Sequence, residues 1–190
     1  MKKNFFENYY KDFINLDIFS EENIKNLNKS VEIFKKIKIK NNKIFFFGNG
    51  GSSATASHVS NDLTKNAKIR SLVFTDAAMI TCLSNDYGYE NWMKKALEFH
   101  CDLKDLVVFI SASGNSKNII RAMNYCKKKK IKVISFTGMN NNNKLNNLNR
   151  EGIKFWINSK SYNLIEVSHM FLLVSIIDKI IGRSVYSSKR

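Results

Sequence analysis

The chain has 190 residues, 44% of them hydrophobic and 12% aromatic, with a formal net charge of +15. That is enough apolar material for one sizeable core, and it excludes a disordered chain. No apolar run approaches the roughly 18 residues of a membrane span, and the start Met1-Lys2-Lys3-Asn4 lacks the pattern of a secretory leader, so a soluble cytoplasmic protein without a membrane partner is expected.

Two helical patterns open the chain, over residues 5–17 and 21–37. The second follows Ser20 as N-cap and repeats apolar residues at Ile24, Leu27, Val31 and Phe34. They form an N-terminal helical segment, residues 1–40, of a single domain spanning 1–190. The period then changes. Lys43-Ile44-Phe45-Phe46-Phe47 is a short apolar run ending in glycine, as a buried parallel strand reads. Similar runs recur over 71–74, 106–110, 131–136 and 153–157. Helices are expected between them, over 52–65, 77–83, 92–100 and 116–129, and a last one, apolar nearly all round, over 164–181. The run Asn140-Asn141-Asn142-Asn143 reads as a surface loop. Strands alternating with helices imply βαβ units. The expected fold is therefore α/β, a flavodoxin-like doubly wound sheet of five parallel strands. Ligands of such sheets bind beyond the carboxyl ends of the strands, where the strand order switches.

The lysines are spread over 35–43, 127–130 and the tail Lys189-Arg190, with no arginine-rich arm. Dispersed surface charge and an anionic small substrate account for them, and no nucleic-acid partner is expected. Cys82, Cys101 and Cys126 form no CxxC pair and read as small buried hydrophobes.

The chemistry lies in the strand-end loops. Gly48-Asn49-Gly50-Gly51-Ser52 follows the first strand. Its glycines let backbone approach a ligand, and Ser52 can cap the next helix or donate to an anion. A tight strand-to-helix turn is the alternative reading. The third strand ends in Ser111-Ala112-Ser113-Gly114-Asn115-Ser116. Three hydroxyls, a glycine and helix N-terminal amides can surround a phosphate without a cation. An ordinary capping turn explains one of those serines and not all three.

With His58, Asp62-Leu63-Thr64, Asn85-Asp86-Tyr87-Gly88-Tyr89, Phe136-Thr137-Gly138 and Ile165-Glu166-Val167-Ser168-His169, these loops resemble the sugar isomerase (SIS) domain family, in its phosphoheptose isomerase branch. The resemblance implies a homotetramer with sites at subunit interfaces, acting on a sugar phosphate. It implies that Ser52, Ser111, Ser113 and Ser116 hold the phosphate within the loops that include Gly50, Gly51 and Ala112, and that Asn49 and Asp86 contact the sugar chain. Ketose–aldose interconversion moves a proton between adjacent carbons through an enediol, which needs a base and an acid. Asp62 stands where the family has its catalytic Glu. His58 matches a zinc-binding His, and Glu166 stands for a Gln that also meets substrate. Zinc, on His58, Asp62 and Glu166, is the one cofactor implied; no nucleotide cofactor is expected. Two positions depart from the family. Val174 stands where the family has its catalytic, metal-binding His, and Ala112 replaces a Thr that touches substrate. His169, three residues after Glu166, is either a substitute acid or a histidine satisfied within helix packing. His100 reads as surface or interfacial. The Val174 departure keeps a second function open, a non-catalytic module that binds a phosphosugar or a protein partner.

Overall fold

The five apolar runs become five parallel strands of one sheet: β1 Ile44–Phe47, β2 Ser71–Val73, β3 Leu106–Ser111, β4 Lys132–Gly138 and β5 Ile153–Ile157. The computed structural model describes residues 4–185; Met1–Lys3 and the basic tail Lys189-Arg190 lie outside the described residues. The strand order is β2-β1-β3-β4-β5 with every neighbour parallel, the flavodoxin-like order. The order reverses between β1 and β3. The loops that leave those two strands are therefore neighbours at the switch point.

β1 and β3 are buried along their whole length, which is why neither alternates in sequence. Successive side chains take opposite faces. Ile44 and Phe46 join the core under α2 (Glu21–Ile39), α3 (Gly51–Asp62) and α8 (Tyr162–Ile181). Phe45 and Phe47 join Trp92, Met93 and Leu97 of α5 (Trp92–His100) and Ile119 and Met123 of α6 (Lys117–Lys129). At the strand starts, Lys43 N donates to Asp105 Oδ1 across 2.7 Å, and Lys43 Nζ lies 3.3 Å from Asp105 Oδ2. Asp105 is 2% exposed, so this pair pins β1 to β3 from inside.

Several boundaries differ from expectation. The first helix, α1 Phe5–Ile14, stops short of residue 17 and buries none of its residues, leaving Phe5, Phe6, Tyr10 and Ile14 exposed. The helix expected over 52–65 starts at Gly51 and ends in a single π turn, Leu63–Ala67. α4 runs Ala77–Tyr87, because Asp76 caps it and Gly88, at φ +81°, ends it. The asparagine run leads into a short helix, α7 Lys144–Leu148. It forms because Asn143 accepts from Asn146 N and Leu145 is buried. Of the cysteines only Cys126 is buried; Cys82 is exposed and Cys101 half-buried, which corrects the expectation for both. Burial pushes the Cys101 thiol up to about 12. No helix among the described residues is long and apolar enough to cross a membrane.

Candidate active site

Loop geometry after β1 follows from its glycines. Gly48 packs so closely on Ser52 that a side chain there would strike the Ser52 backbone. Gly50, at φ +55°, turns the chain into α3. The cap residue of α3 is this glycine and not Ser52, which lies in the first turn and is 3% exposed. After β3 the chain turns again, with Gly114 N donating to Ser111 O across 2.9 Å and Gly114 at φ +63°. Ser116 takes the cap position of α6 without a side-chain bond.

The helix starts differ in how they are capped. The starts of α1, α2, α4, α7 and α8 are closed by the side chains of Asn4, Ser20, Asp76, Asn143 and Ser161. α3 and α6 have no capping side chain, a trait they share with α5. Both begin at the switch point, with Ser52 and Ser111 nearly buried and Ser113 and Ser116 half-buried beside them. Two helix starts with positive dipole ends and no capping side chain at the N-cap, lined by hydroxyls, form a candidate cradle for an anion.

The serine loop is held from behind. Ala112 O accepts from Gly138 N, and Gly114 O from Leu145 N, both at 2.9 Å. Asn115 Oδ1 accepts from Lys144 N at 3.1 Å. Asn143 packs on Gly114, where any Cβ would collide with it. Sequence reasoning missed this role of the asparagine run, because polar residues of that kind read as solvent-facing turn.

The other candidate residues divide. Asn49, at the end of β1, exchanges two hydrogen bonds with Asn118 of α6 and accepts a third from the Tyr89 hydroxyl at 3.2 Å. Neither partner stood among the expected site residues. Asp86 is exposed near the end of α4, and its carboxylate meets Asn85 Nδ2 at 3.0 Å and the Cys82 thiol at 3.9 Å. The half-buried Glu166 lays its carboxylate against Gly51, so α8 does reach the first loop. Ala112 is 5% exposed and lies within the cradle loop.

His58 and Asp62 share a helix face as their spacing of four requires, with Nε2 to Oδ2 at 3.3 Å. Asp62 Oδ1 also accepts from Asn66 Nδ2 at 3.1 Å. Glu166 does not join this pair. It lies at Gly51, and His58 is seven residues further along α3, about 10 Å at helical rise. Among the described residues no three His, Cys, Asp or Glu side chains gather as a metal site. The expected zinc trio is thus not assembled within one chain.

His169 is fully buried. Its Nε2 lies 3.0 Å from Thr137 O, and its ring meets Phe136 edge-on at 5.8 Å. Burial drives its pKa down to about 4, against the opposing pull of the Thr137 carbonyl. Of the two readings of His169, helix packing is the observed one; sealed in the core, it does not join the cradle. His100 is exposed, its ring tilted against Phe74 at 5.1 Å, and its carbonyl accepts from Lys43 Nζ beside the start of β1.

The SIS domain profile matches residues 8–138. Phosphoheptose isomerase 2 of Campylobacter jejuni is 37% identical over 129 residues, 64% of this chain and 64% of that protein. The phosphoheptose isomerase of Buchnera aphidicola is 35% identical over 133 residues, 67% of this chain and 68% of that protein. The alignment with the Campylobacter protein thus spans a little under two thirds of its length. The structure of phosphoheptose isomerase GmhA from Neisseria gonorrhoeae superposes with a TM-score of 0.83 at 25% identity, covering 92% of this chain and 96% of that one.

Proposed function

The chain belongs to the SIS domain family, and from that premise we propose that it is a cytoplasmic phosphosugar isomerase, taking sedoheptulose 7-phosphate or a related ketose phosphate to the aldose through an enediol. The observation that carries this reading is the pair of uncapped helix starts, α3 and α6, facing one switch point between Ser52 and Ser111. That cradle suits a phosphate dianion. Asp62, at the far end of α3 from the cradle of its own chain, reaches the sugar from a second copy in the assembly, takes the proton from the ketose carbon and returns it to its neighbour. His58, 3.3 Å away, orients the carboxylate. Glu166 and Asn49 flank the cradle and meet the sugar hydroxyls.

Zinc fits poorly to the donors that one chain brings together. His58 and Asp62 are two ligands, whereas a catalytic zinc site uses three protein ligands and a structural site four. Val174 offers none. No step of the proposal therefore runs through a metal.

Assembly belongs to the same reading. Phe171 and Val167 of α8 are exposed, and Phe171 meets exposed Phe19 edge-on at 5.3 Å. With the exposed aromatics of α1, this apolar surface suits contact with further copies of the chain in a homotetramer.

Incubation with sedoheptulose 7-phosphate, with and without zinc, followed by NMR of the aldose product, tests the activity. Absence of turnover in both arms would end this reading. A second reading is favoured by Val174 and by the sealing of His169, namely a module that holds a phosphosugar without converting it. Tight binding without solvent deuterium entering the sugar is its signature.

A further inference from the structure

Asn118 is 2% exposed in the first turn of α6. Its Oδ1 accepts the main-chain N–H of Ile119 at 2.9 Å. That N–H is one of those a helix start leaves without an intrahelical partner. Only an oxygen can meet it, so this bond fixes which way round the Asn118 amide stands. Its Nδ2 must then point the other way, toward Asn49. Two bonds follow, Asn118 Nδ2 to Asn49 Oδ1 at 2.9 Å and Asn49 Nδ2 to Asn118 Oδ1 at 3.1 Å. The orientation of one amide thereby dictates the other. The Tyr89 hydroxyl, at 3.2 Å, adds a second donor to the same Asn49 oxygen.

A primary amide has two acceptor sites on oxygen and two N–H donors. In Asn49 both acceptor sites and one N–H are engaged. One N–H remains. The side chain is half-buried at the carboxyl end of β1, beside the glycines of the cradle.

We infer that Asn118 is a positioning residue that makes Asn49 present a hydrogen-bond donor, and no acceptor, to the sugar chain. This rests on the isomerase reading above. In that reaction the base takes a proton from C1 of the ketose. The C1–H electron pair becomes the C1=C2 bond, and the C2=O pair moves onto O2. O2 gains a proton from water, the O1 hydroxyl gives its proton up to water as C1=O forms, and the base returns its proton to C2. Negative charge develops on the sugar oxygens during the step, and a preset N–H there stabilises it more than it stabilises the ketose. An amide turned the other way would set a lone pair against that charge.

The test substitutes Asn118→Asp. The carboxylate still meets Ile119 N–H, so the helix start is kept. It offers Asn49 only acceptors, which draws both Asn49 N–H groups toward it. The expected fall in kcat is about 100-fold, in the range for loss of one such donor. The serine loop is untouched, so the Kd for the sugar phosphate should stay within about threefold. Asn118→Ala, which frees Asn49 to turn, should fall between wild type and Asn118→Asp. Side-chain amide NMR of Asn49 reads the same claim without turnover. In the wild type, adding sugar phosphate should shift one Nδ2 proton and leave its Asn118-bonded partner in place; in Asn118→Asp that asymmetry should vanish. A wild-type chain that binds without turnover would end the isomerase reading, with the NMR pattern still deciding the role of Asn118. An Asn118→Asp protein with unchanged kcat, or one with an unchanged Asn49 spectrum, would overturn the inference alone.

Discussion

The Nε2 of His169 lies 3.0 Å from the carbonyl oxygen of Thr137 in the core, and burial, against the pull of that carbonyl, keeps the imidazole neutral. With its proton on Nε2 the ring leaves Nδ1 buried without a partner. Protonation in the native state is disfavoured down to about 4, whereas the unfolded chain takes up the proton near 6.5. The unfolded state thus binds more protons between those values, and stability falls as pH drops from 6.5 to 4 and is flat above. The lost stability is on the order of 3 kcal/mol. Denaturant melts of wild type and His169→Gln across pH 4–8 should differ in slope within that window. Parallel curves would remove His169 as the source.

Ser111→Ala and Ser113→Ala should each weaken sugar-phosphate binding by about tenfold or more, the worth of a hydrogen bond to a charged group. Binding of the unphosphorylated sugar should not change. Calorimetric titration of both ligands separates the outcomes. Equal losses for the two sugars would argue against a phosphate cradle.

Asp62→Asn keeps the size of the side chain and removes its basicity. Deuterium exchange from solvent into the sugar should slow by about 100-fold or more, with binding retained. A variant that exchanges at the wild-type rate would take Asp62 out of the chemistry.

Val174→His restores the side-chain type that the family resemblance implies on α8. Metal analysis of protein purified without chelator should find less than one zinc per wild-type chain and more in this variant, because the ligand count rises. Full zinc occupancy in the wild type would mean that a second subunit completes the site.

Phe171→Glu puts a charge on the exposed apolar surface of α8 where Phe171 meets Phe19. Sedimentation should show smaller species than the wild type. An unchanged sedimentation coefficient would move the subunit contact elsewhere.

The sheet was legible in the sequence because strands buried on both faces cannot hide. Ile44–Phe47 and Leu106–Ser111 had nowhere to be but a parallel core. The place of the serine loop was legible too, since a turn that follows a buried parallel strand lies at the carboxyl edge of the sheet. What escaped notice depends on partners distant in sequence. Asn118 reads as one polar residue in a helical pattern, and only its meeting with Asn49 gives it a role. α7 reads as loop because its start is stabilised by Gly114 and Asn115, about thirty residues away. Ser52 seemed a cap because the left-handed φ of Gly50 belongs to the turn and leaves no mark in composition. His169 has the spacing of a site residue, and burial, which spacing does not encode, removed it.

The Lys43–Asp105 pin also bears on how the protein comes into being. It joins residues 62 apart in the chain, and β1 cannot find β3 until the whole intervening crossover has been synthesised. Closing so long a loop costs chain entropy before any contact offsets it. The two loops of the proposed phosphate cradle hang from those same two strands. A nascent chain that has emerged only as far as β2 therefore has its first glycine loop and no binding site. Ligand binding would report on refolding only after the β1–β3 pair has closed, behind any signal from the helices alone.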